Sequence, residues 1–425
     1  MRQSPVAARR DRRLIHLFYT LAGLLVVQGI LSLVEGIRFR SFLNRSLREP
    51  PSGFKPRAAI IVPCKGLDKG LGDNLRRLMR QDYPEYEVIF SIASSDDPAR
   101  EVIETVIAEH PGLDAALVVA SPSRERGEKI NNLLYALEHV GQGCQVLVFA
   151  DSDARVTGGW LESLVSPLND ARVGAATGYR WYLPESGGFW SALLSSWNGS
   201  VATTLGDHGR NFAWGGSTAI RRDVFDQTGV AQRWQRAVSD DYALTRAVQE
   251  AGLLIRFVPR SLVETREDAT LSSLIEFTTR QVIITRVYRP RIWWTGLLSH
   301  SLFVVVFFGG LVWLGERLAG GNDLDVSFSM MSGAIYALGS AKGALRLFAA
   351  RAALPHARRD LARLWWIFCL LWPLVSLLFF YNFIKSATTR RITWRGVCYE
   401  LRSPTETVVF SEHCERAPSG VGLRR

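Results

Sequence analysis

Apolar positions fall into two regimes along this chain. Near both ends they run without interruption, and in the middle they come in short bursts separated by amphipathic stretches. Residues 14–34 (LIHLFYTLAGLLVVQGILSLV) contain no Lys, Arg, Asp or Glu, and a run of roughly 20 apolar residues is the length that crosses a bilayer core. A transmembrane helix is expected over 14–35, behind a basic tail, 1–13. The arginines of that tail would also suit a signal peptide, but the apolar stretch is long and ends in EGIRFR, without a small-residue cleavage site. Segments 293–315 (WWTGLLSHSLFVVVFFGGLVWLG) and 364–384 (LWWIFCLLWPLVSLLFFYNFI) are equally apolar and carry Trp and Tyr near their ends, as interfacial belts do. Between them, 326–350 is weaker, because Lys342 and Arg346 must snorkel or face protein. The pattern predicts two to three C-terminal spans within 291–385 and a tail over 386–425.

The middle, 55–290, reads differently. AAIIVP (58–63), EVIFSIA (87–93), AALVVA (115–120) and QVLVFA (145–150) are candidate strands, separated by helical patterns at 73–81, 98–110 and 129–140. Runs that are apolar throughout, rather than alternating, indicate strands covered on both faces of a parallel sheet. In such a sheet ligands sit at the carboxyl ends of the strands, near a switch in strand order.

Charge narrows the function less than hydropathy does. Lys+Arg 51 against Asp+Glu 40 leaves +11, which suits either nucleic acid or anionic headgroups. The basic residues cluster at the membrane boundaries, without a recognition helix, so no nucleic-acid partner is expected. Arginines flank the first helix on both sides, but the loop 316–325 is acidic with a single Arg, which favours an integral membrane protein with a cytoplasmic middle domain. Five cysteines show no CxxC spacing, so neither a zinc site nor a disulfide framework is indicated. The sequons at Asn44 and Asn198 would matter only on a lumenal face.

Candidate chemistry collects at the strand ends. The first strand ends in VPCKG, the second in SSDDPAR and the fourth in ADSDARV, which brings Pro63, Asp96, Asp97, Asp151 and Asp153 toward one edge of the sheet. Asp97 before Pro98 also suits the start of a helix. Asp151 and Asp153 fit capping less well, since two carboxylates one residue apart repel unless a cation compensates. A hard cation such as Mg2+ takes carboxylate oxygen and shares itself with phosphate, so Asp-x-Asp here suggests a metal and diphosphate site. No Walker lysine loop and no GxGxxG accompany it, which argues against a P-loop NTPase or a dinucleotide-binding domain. A second pair, Asp240 and Asp241 of SDDYALTRAV, begins a helical pattern. The helix dipole favours charge there, and an aspartate beside a bound donor can also act as general base.

The ordered set IIVPCKG, YPEYEVIFSIASSDDPA, EKINNL, VFADSDARV, GGSTAIRRDVF and SDDYALTRAV resembles the inverting glycosyltransferases of family 2 and, most closely, the family 21 branch of ceramide and hopanoid-associated transferases. The resemblance covers about 55–290. It implies an α/β GT-A catalytic domain, a Rossmann-like mostly parallel sheet, together with the transmembrane helices. It also implies a nucleotide-sugar donor, by default a UDP-hexose, a lipid acceptor and a divalent cation, Mg2+ or Mn2+. Residue by residue, Asp97 or Asp96 would contact the base, and Pro63, at the end of the first strand, would also belong to the nucleotide-sugar site. Lys129 would lie near the diphosphate, where the plainer reading is a solvated first-turn lysine. Asp151 and Asp153 would form the metal site, and Asp241, with Asp240 beside it, would be the catalytic base. Gly215 and Gly216, followed by Ser217, would form the loop beneath donor and acceptor.

One element departs from the family pattern. For (Gln/Arg)-x-x-Arg-Trp the chain reads FTTRQVIITRVYRPRIWW: Gln281 stands in place, but Ile284 and Thr285 occupy the Arg and Trp positions. Arg286 and Tyr288 could supply a cation for the diphosphate and an aromatic platform for the acceptor. Alternatively, VYRPRIWW is an interfacial segment leading into the next span. The acceptor stays open among ceramide-like, hopanoid and glycerolipid hydroxyls. A processive polysaccharide synthase is the second reading, and a non-catalytic membrane protein that retains the fold is the third.

Overall fold

The computed structural model describes residues 5–321 and 326–411. Residues 322–325 of the acidic loop, and the end of the tail with Cys414, lie outside the described residues. Among the described residues there are twelve strands: β1 (Ala58–Pro63), β2 (Tyr86–Ile92), β3 (Asp114–Val119), β4 (Val146–Ala150), β5 (Val173–Thr177), β6 (Arg180–Leu183), β7 (Ser217–Arg221), β8 (Leu254–Phe257), β9 (Val263–Arg266), β10 (Arg391–Trp394), β11 (Val397–Ser403) and β12 (Glu406–Ser411). The central sheet runs β3-β2-β1-β4-β7-β5-β8. As the uninterrupted apolar runs predict, β1, β2 and β4 are buried on both faces and pair in parallel. The order reverses between β1 and β4, so the crevice lies at Pro63 and Ala150.

One strand breaks the parallel pattern. β7 runs antiparallel to both β4 and β5, with Ser217 opposite Ala150. Its beginning therefore lies at the same edge as the end of β4, and Gly215–Gly216 abut Asp151. Helices cover both faces of the sheet: Leu71–Leu78, Ala99–Ala108 and Trp160–Val165 on one, Glu128–Leu137, Val230–Trp234 and Asp240–Glu250 on the other. The largest side chain buried on each face is a tryptophan whose indole N–H finds an acceptor, as buried indoles require. Trp160 donates to Ser217 Oγ (2.8 Å) and Trp234 to the Asp240 carbonyl (3.0 Å), so each pins a loop at the crevice.

Among the described residues, two helices are long and apolar enough to cross a membrane, His16–Ser46 and Pro290–Ala319, both with mean hydropathy 2.1. They leave Leu24, Ile30, Leu31, Leu298, Val305 and Val312 exposed, a surface that lipid would cover. The helix Val326–Ala353 packs along the first of these. Its far end meets Phe18 and Trp313 through Phe328, and its near end joins the sheet domain, where Arg346 donates to Ser200 Oγ (2.9 Å) and Thr203 Oγ1 (3.1 Å).

The apolar segment 364–384 is not one helix. It divides into Trp365–Cys369 and Trp372–Thr388, broken where Pro373 supplies no N–H to the preceding turn. The turn between them reaches only midway along its neighbours: the Leu370 carbonyl accepts from Tyr336 OH (3.0 Å), and Trp372 packs on Phe303 and Tyr336. The second arm then returns to the sheet domain. The tail follows it there, as the antiparallel sheet β10-β11-β12, whose Ile392, Val397, Tyr399 and Leu401 bury against Val238, Ile283 and Ile284. Tyr399 OH accepts from Glu128 N (3.2 Å). Cys64, Cys144 and Cys369 are free thiols.

Candidate active site

Four of the expected carboxylates converge at the crevice. Lys129 Nζ stands 2.8 Å from Asp151 Oδ1 and 3.2 Å from Asp240 Oδ2, which joins the end of β4 to the start of the helix Asp240–Glu250. Arg180, at the start of β6, bridges Asp151 Oδ2 (2.6 Å) and Asp153 Oδ2 (3.0 Å). It also stacks over Trp214, its guanidinium 4.7 Å from the ring centre. The glycine pair is required by this crowding. A β-carbon on Gly215 would run into the Asp240 carboxylate, and one on Gly216 into the Trp214 ring and Asp151.

The electrostatics divide the carboxylates into two kinds. Burial would push Asp151 up, but Lys129 and Arg180 outweigh it and hold its pKa below the usual value. Asp153 is shifted upward, by burial first and by its neighbour Asp151, against the pull of Arg180. Lys129 is held protonated by Asp151 and Asp240 in spite of burial. Among the described residues Asp241 makes no ion pair, and Lys129 acts on it only from a distance. Burial, reinforced by Asp240, raises its pKa from 3.8 to about 6, while hydrogen bonds from the Ser239 hydroxyl and from Tyr242 N (2.7 Å) restrain the shift. Ser239 is also the helix N-cap, so the capping reading of this turn and the chemical one hold together.

Two cavities meet at this point. One, of about 1020 Å³, is polar and includes Pro63, Asp68, Lys129, Asn132, Asp151, Asp153, Gly215 and Asp240 in its wall. Asn132, only 2% exposed, leaves its Oδ1 without a hydrogen-bond partner there, the state of a buried polar atom that awaits a guest. The other, of about 1110 Å³, runs between the first helix and the C-terminal helices, past Phe39, Trp197, Phe303, Trp372, Phe379 and Phe383. Asp241, Tyr242, Arg180, Trp214, Phe277 and Gln281 border both.

The remaining expected residues are placed as follows. Asp97 ties the loop after β1 to the next helix, accepting from Gly66 N (2.8 Å) and Ala99 N (2.9 Å). Asp96 is exposed beside it, and neither borders either of these two cavities. Arg286 is turned away from both cavities: it donates to the Ser386 carbonyl (2.6 Å) and lies over Trp293. Tyr288 sits beneath the site, its hydroxyl accepting from Val238 N (3.1 Å) and Ser239 N (3.3 Å). Sequence reasoning missed Arg180, Asp68, Asn132 and Arg280. Among the described residues no group of three or more His, Cys, Asp or Glu is arranged to hold a metal. Asp151 and Asp153 offer two carboxylates, the number a hard cation commonly takes from protein when phosphate and water complete its shell, so the donor set fits such an ion.

Known proteins resemble this chain along much of its length. It is 21% identical over 308 residues to ceramide glucosyltransferase 1 of Caenorhabditis elegans, covering 71% of this chain and 65% of that protein. It is 22% identical over 261 residues to ceramide glucosyltransferase 3 of the same organism, covering 59% and 54%. The chain thus spans between about half and two thirds of the length of these relatives. Among solved structures, the mannosyltransferase PcManGT from Pyrobaculum calidifontis, in complex with GDP-Man and Mn2+, is similar at 17% identity and a TM-score of 0.47, over 87% of this chain and 99% of that one. The sequence profile of glycosyl transferase family 21 matches residues 21–407, from within the first apolar helix to the last strand of the tail, and the chain belongs to that family.

Proposed function

We propose that this protein is a membrane-bound inverting glycosyltransferase that moves a sugar, from a UDP-hexose donor, to the hydroxyl of a lipid. One observation carries the reading: the Asp241 carboxylate borders both a polar cavity and an apolar cavity between the membrane helices. The donor's diphosphate belongs with Lys129 and the acidic cluster, and the lipid chain with the aromatic cavity. Asp241, with its pKa raised to about 6, is mostly ionised at neutral pH yet basic enough to accept a proton.

As the acceptor O–H bond breaks, its proton passes to Asp241 and the freed oxygen forms a bond to the anomeric carbon. The bond from that carbon to the diphosphate oxygen breaks on the opposite face, so the centre inverts. Lys129 and Arg180 orient the carboxylates and supply fixed positive charge where the nucleoside diphosphate departs. Asp151 and Asp153 are the residues that would hold a divalent cation, whose chemistry is to neutralise that diphosphate.

The apolar lining of the acceptor cavity favours a lipid hydroxyl over a growing polysaccharide, and the names of the relatives favour a ceramide-like alcohol. The return of the tail to the catalytic face supports two full crossings after the catalytic domain, with 364–388 as a re-entrant hairpin. Arg351, Arg358, Arg359, Arg363, Arg390 and Arg391 then share the catalytic side, which supports a cytoplasmic domain by the positive-inside rule. The test is transfer of labelled sugar from a panel of nucleotide sugars into lipid extract by membranes carrying the protein, beside Asp241→Asn membranes. A labelled lipid from the wild type alone is expected. Label in an insoluble polymer, or no product from any donor, would overturn the reading.

A further inference from the structure

The family's Arg-Trp element is missing from the helix Leu271–Tyr288, yet a Trp-Arg pair reaches the same cavity from the other end of the chain. Trp394 and Arg395 stand at the tip of the β10–β11 hairpin, and both border the polar cavity. The two-residue loop Arg395-Gly396 has positive φ at both positions, 47° and 82°, a turn that ordinarily selects Asn or Gly. Arg395 is the one non-glycine residue with positive φ among the described residues, so its side chain is kept there against backbone preference. That side chain grips Asp68 through both carboxylate oxygens (2.8 and 3.0 Å) and also donates to the Lys65 carbonyl. Asp68 in turn accepts from Ser152, between the two aspartates of the Asp-x-Asp (2.7 Å).

Arg280 lies against the same hairpin. It donates to the Thr393 carbonyl (3.3 Å) and stands 5.5 Å from the Trp394 ring centre. Burial pulls its pKa below the ordinary arginine value. Ile284, in the position where the family pattern has Arg, instead buries against Ile392, Val397 and Tyr399 and so seats the sheet that carries the hairpin.

We propose that Arg395 and Arg280 form a diphosphate-binding element of the donor site, with the C-terminal tail supplying the cation that the broken helix motif lacks. The inference rests on the nucleotide-sugar reading of this cavity. Asp68 holds the Arg395 guanidinium in place, and phosphate oxygens share it when the nucleotide binds.

The test is calorimetric titration of the full-length protein in detergent with UDP, UMP, GDP and GMP in the presence of Mn2+. Arg395→Ala should weaken binding of the preferred diphosphate about 10-fold or more, the loss of one charge-assisted contact, and change binding of its monophosphate by less than about 2-fold. Arg395→Lys should fall between. Asp68→Asn loosens the hold on Arg395 but leaves both guanidiniums, and should weaken diphosphate binding clearly less than Arg395→Ala does. Equal weakening of diphosphate and monophosphate, or an Asp68→Asn protein as impaired as Arg395→Ala, would reduce the contact to a structural staple and overturn the proposal. A wild type that bound none of the four nucleotides would instead overturn the donor reading on which it rests.

Discussion

Arg180 places a guanidinium nitrogen 2.6 Å from Asp151 Oδ2 and so lies across the oxygens that a divalent cation would take. Removing one partner of a largely buried ion pair leaves an uncompensated charge, at a cost of several kcal/mol. Arg180→Gln should therefore melt lower than wild type in EDTA, and added Mn2+ should recover much of the difference. Thermal unfolding of both proteins with and without Mn2+ checks this. An equal gap under the two conditions would separate Arg180 from any cation site.

As the proposed base, Asp241 should carry the pH dependence of transfer. Its folded-state pKa of about 6 exceeds the ordinary 3.8, so transfer should fall as pH drops through about 6, read as kcat/KM against pH. The stability consequence has the opposite sense. The contribution of a raised acid is fully present below the unfolded pKa and lost as pH rises through the folded one, so near neutrality the charged form costs about 1–3 kcal/mol. Asp241→Asn should lose about 10²–10⁴-fold in rate, as expected for a general base. Near neutral pH it should nevertheless melt no lower than wild type.

The acceptor cavity can be blocked without touching the donor cavity. Ser376 borders only the apolar one, and Ser376→Trp fills it with a side chain the size of its aromatic neighbours. Transfer to lipid should fall about 10-fold, the scale of a lost apolar contact, while calorimetric UDP affinity stays unchanged. A matching loss of UDP affinity would show that the two cavities are not separable.

Tyr288 and Arg286 should part company. Tyr288→Phe leaves two backbone N–H groups under the Asp240–Asp241 turn without their acceptor, a loss of about 1–3 kcal/mol. It should lower kcat more than it raises the donor KM. Arg286→Ala removes a link to the end of the last helix and should lower the melting temperature with kcat/KM nearly intact. A large kcat loss in Arg286→Ala, with melting unchanged, would return that arginine to the reaction.

What could be read ahead of the structure was local. β1, β2 and β4 were legible because burial on both faces leaves no polar alternation, and the paired aspartates because their repulsion is a matter of adjacent residues. β7 was not legible as antiparallel, since strand direction is decided by which neighbour completes the sheet. Arg286 is a candidate by type, and the structure turns it away from both cavities. It lies six residues beyond Arg280, which at about 100° per residue turns it well away from the face that meets the cavity. Hydropathy likewise joined 364–384 into one span, because an average over the window does not register the break at Pro373. Arg395 lies 327 residues from Asp68, a pairing that no spacing rule reaches.

The position of β10–β12 also orders events in time. The ribosome releases these strands after every membrane helix of the structure, yet they form a wall of the cavity whose aspartates were synthesised hundreds of residues earlier. A nascent or truncated chain that ends within the helices carries the acidic cluster with that wall open to water. On the proposed donor reading, the polar cavity is complete only once the tail has folded back onto it, which ties nucleotide binding to a chain folded through β10–β12.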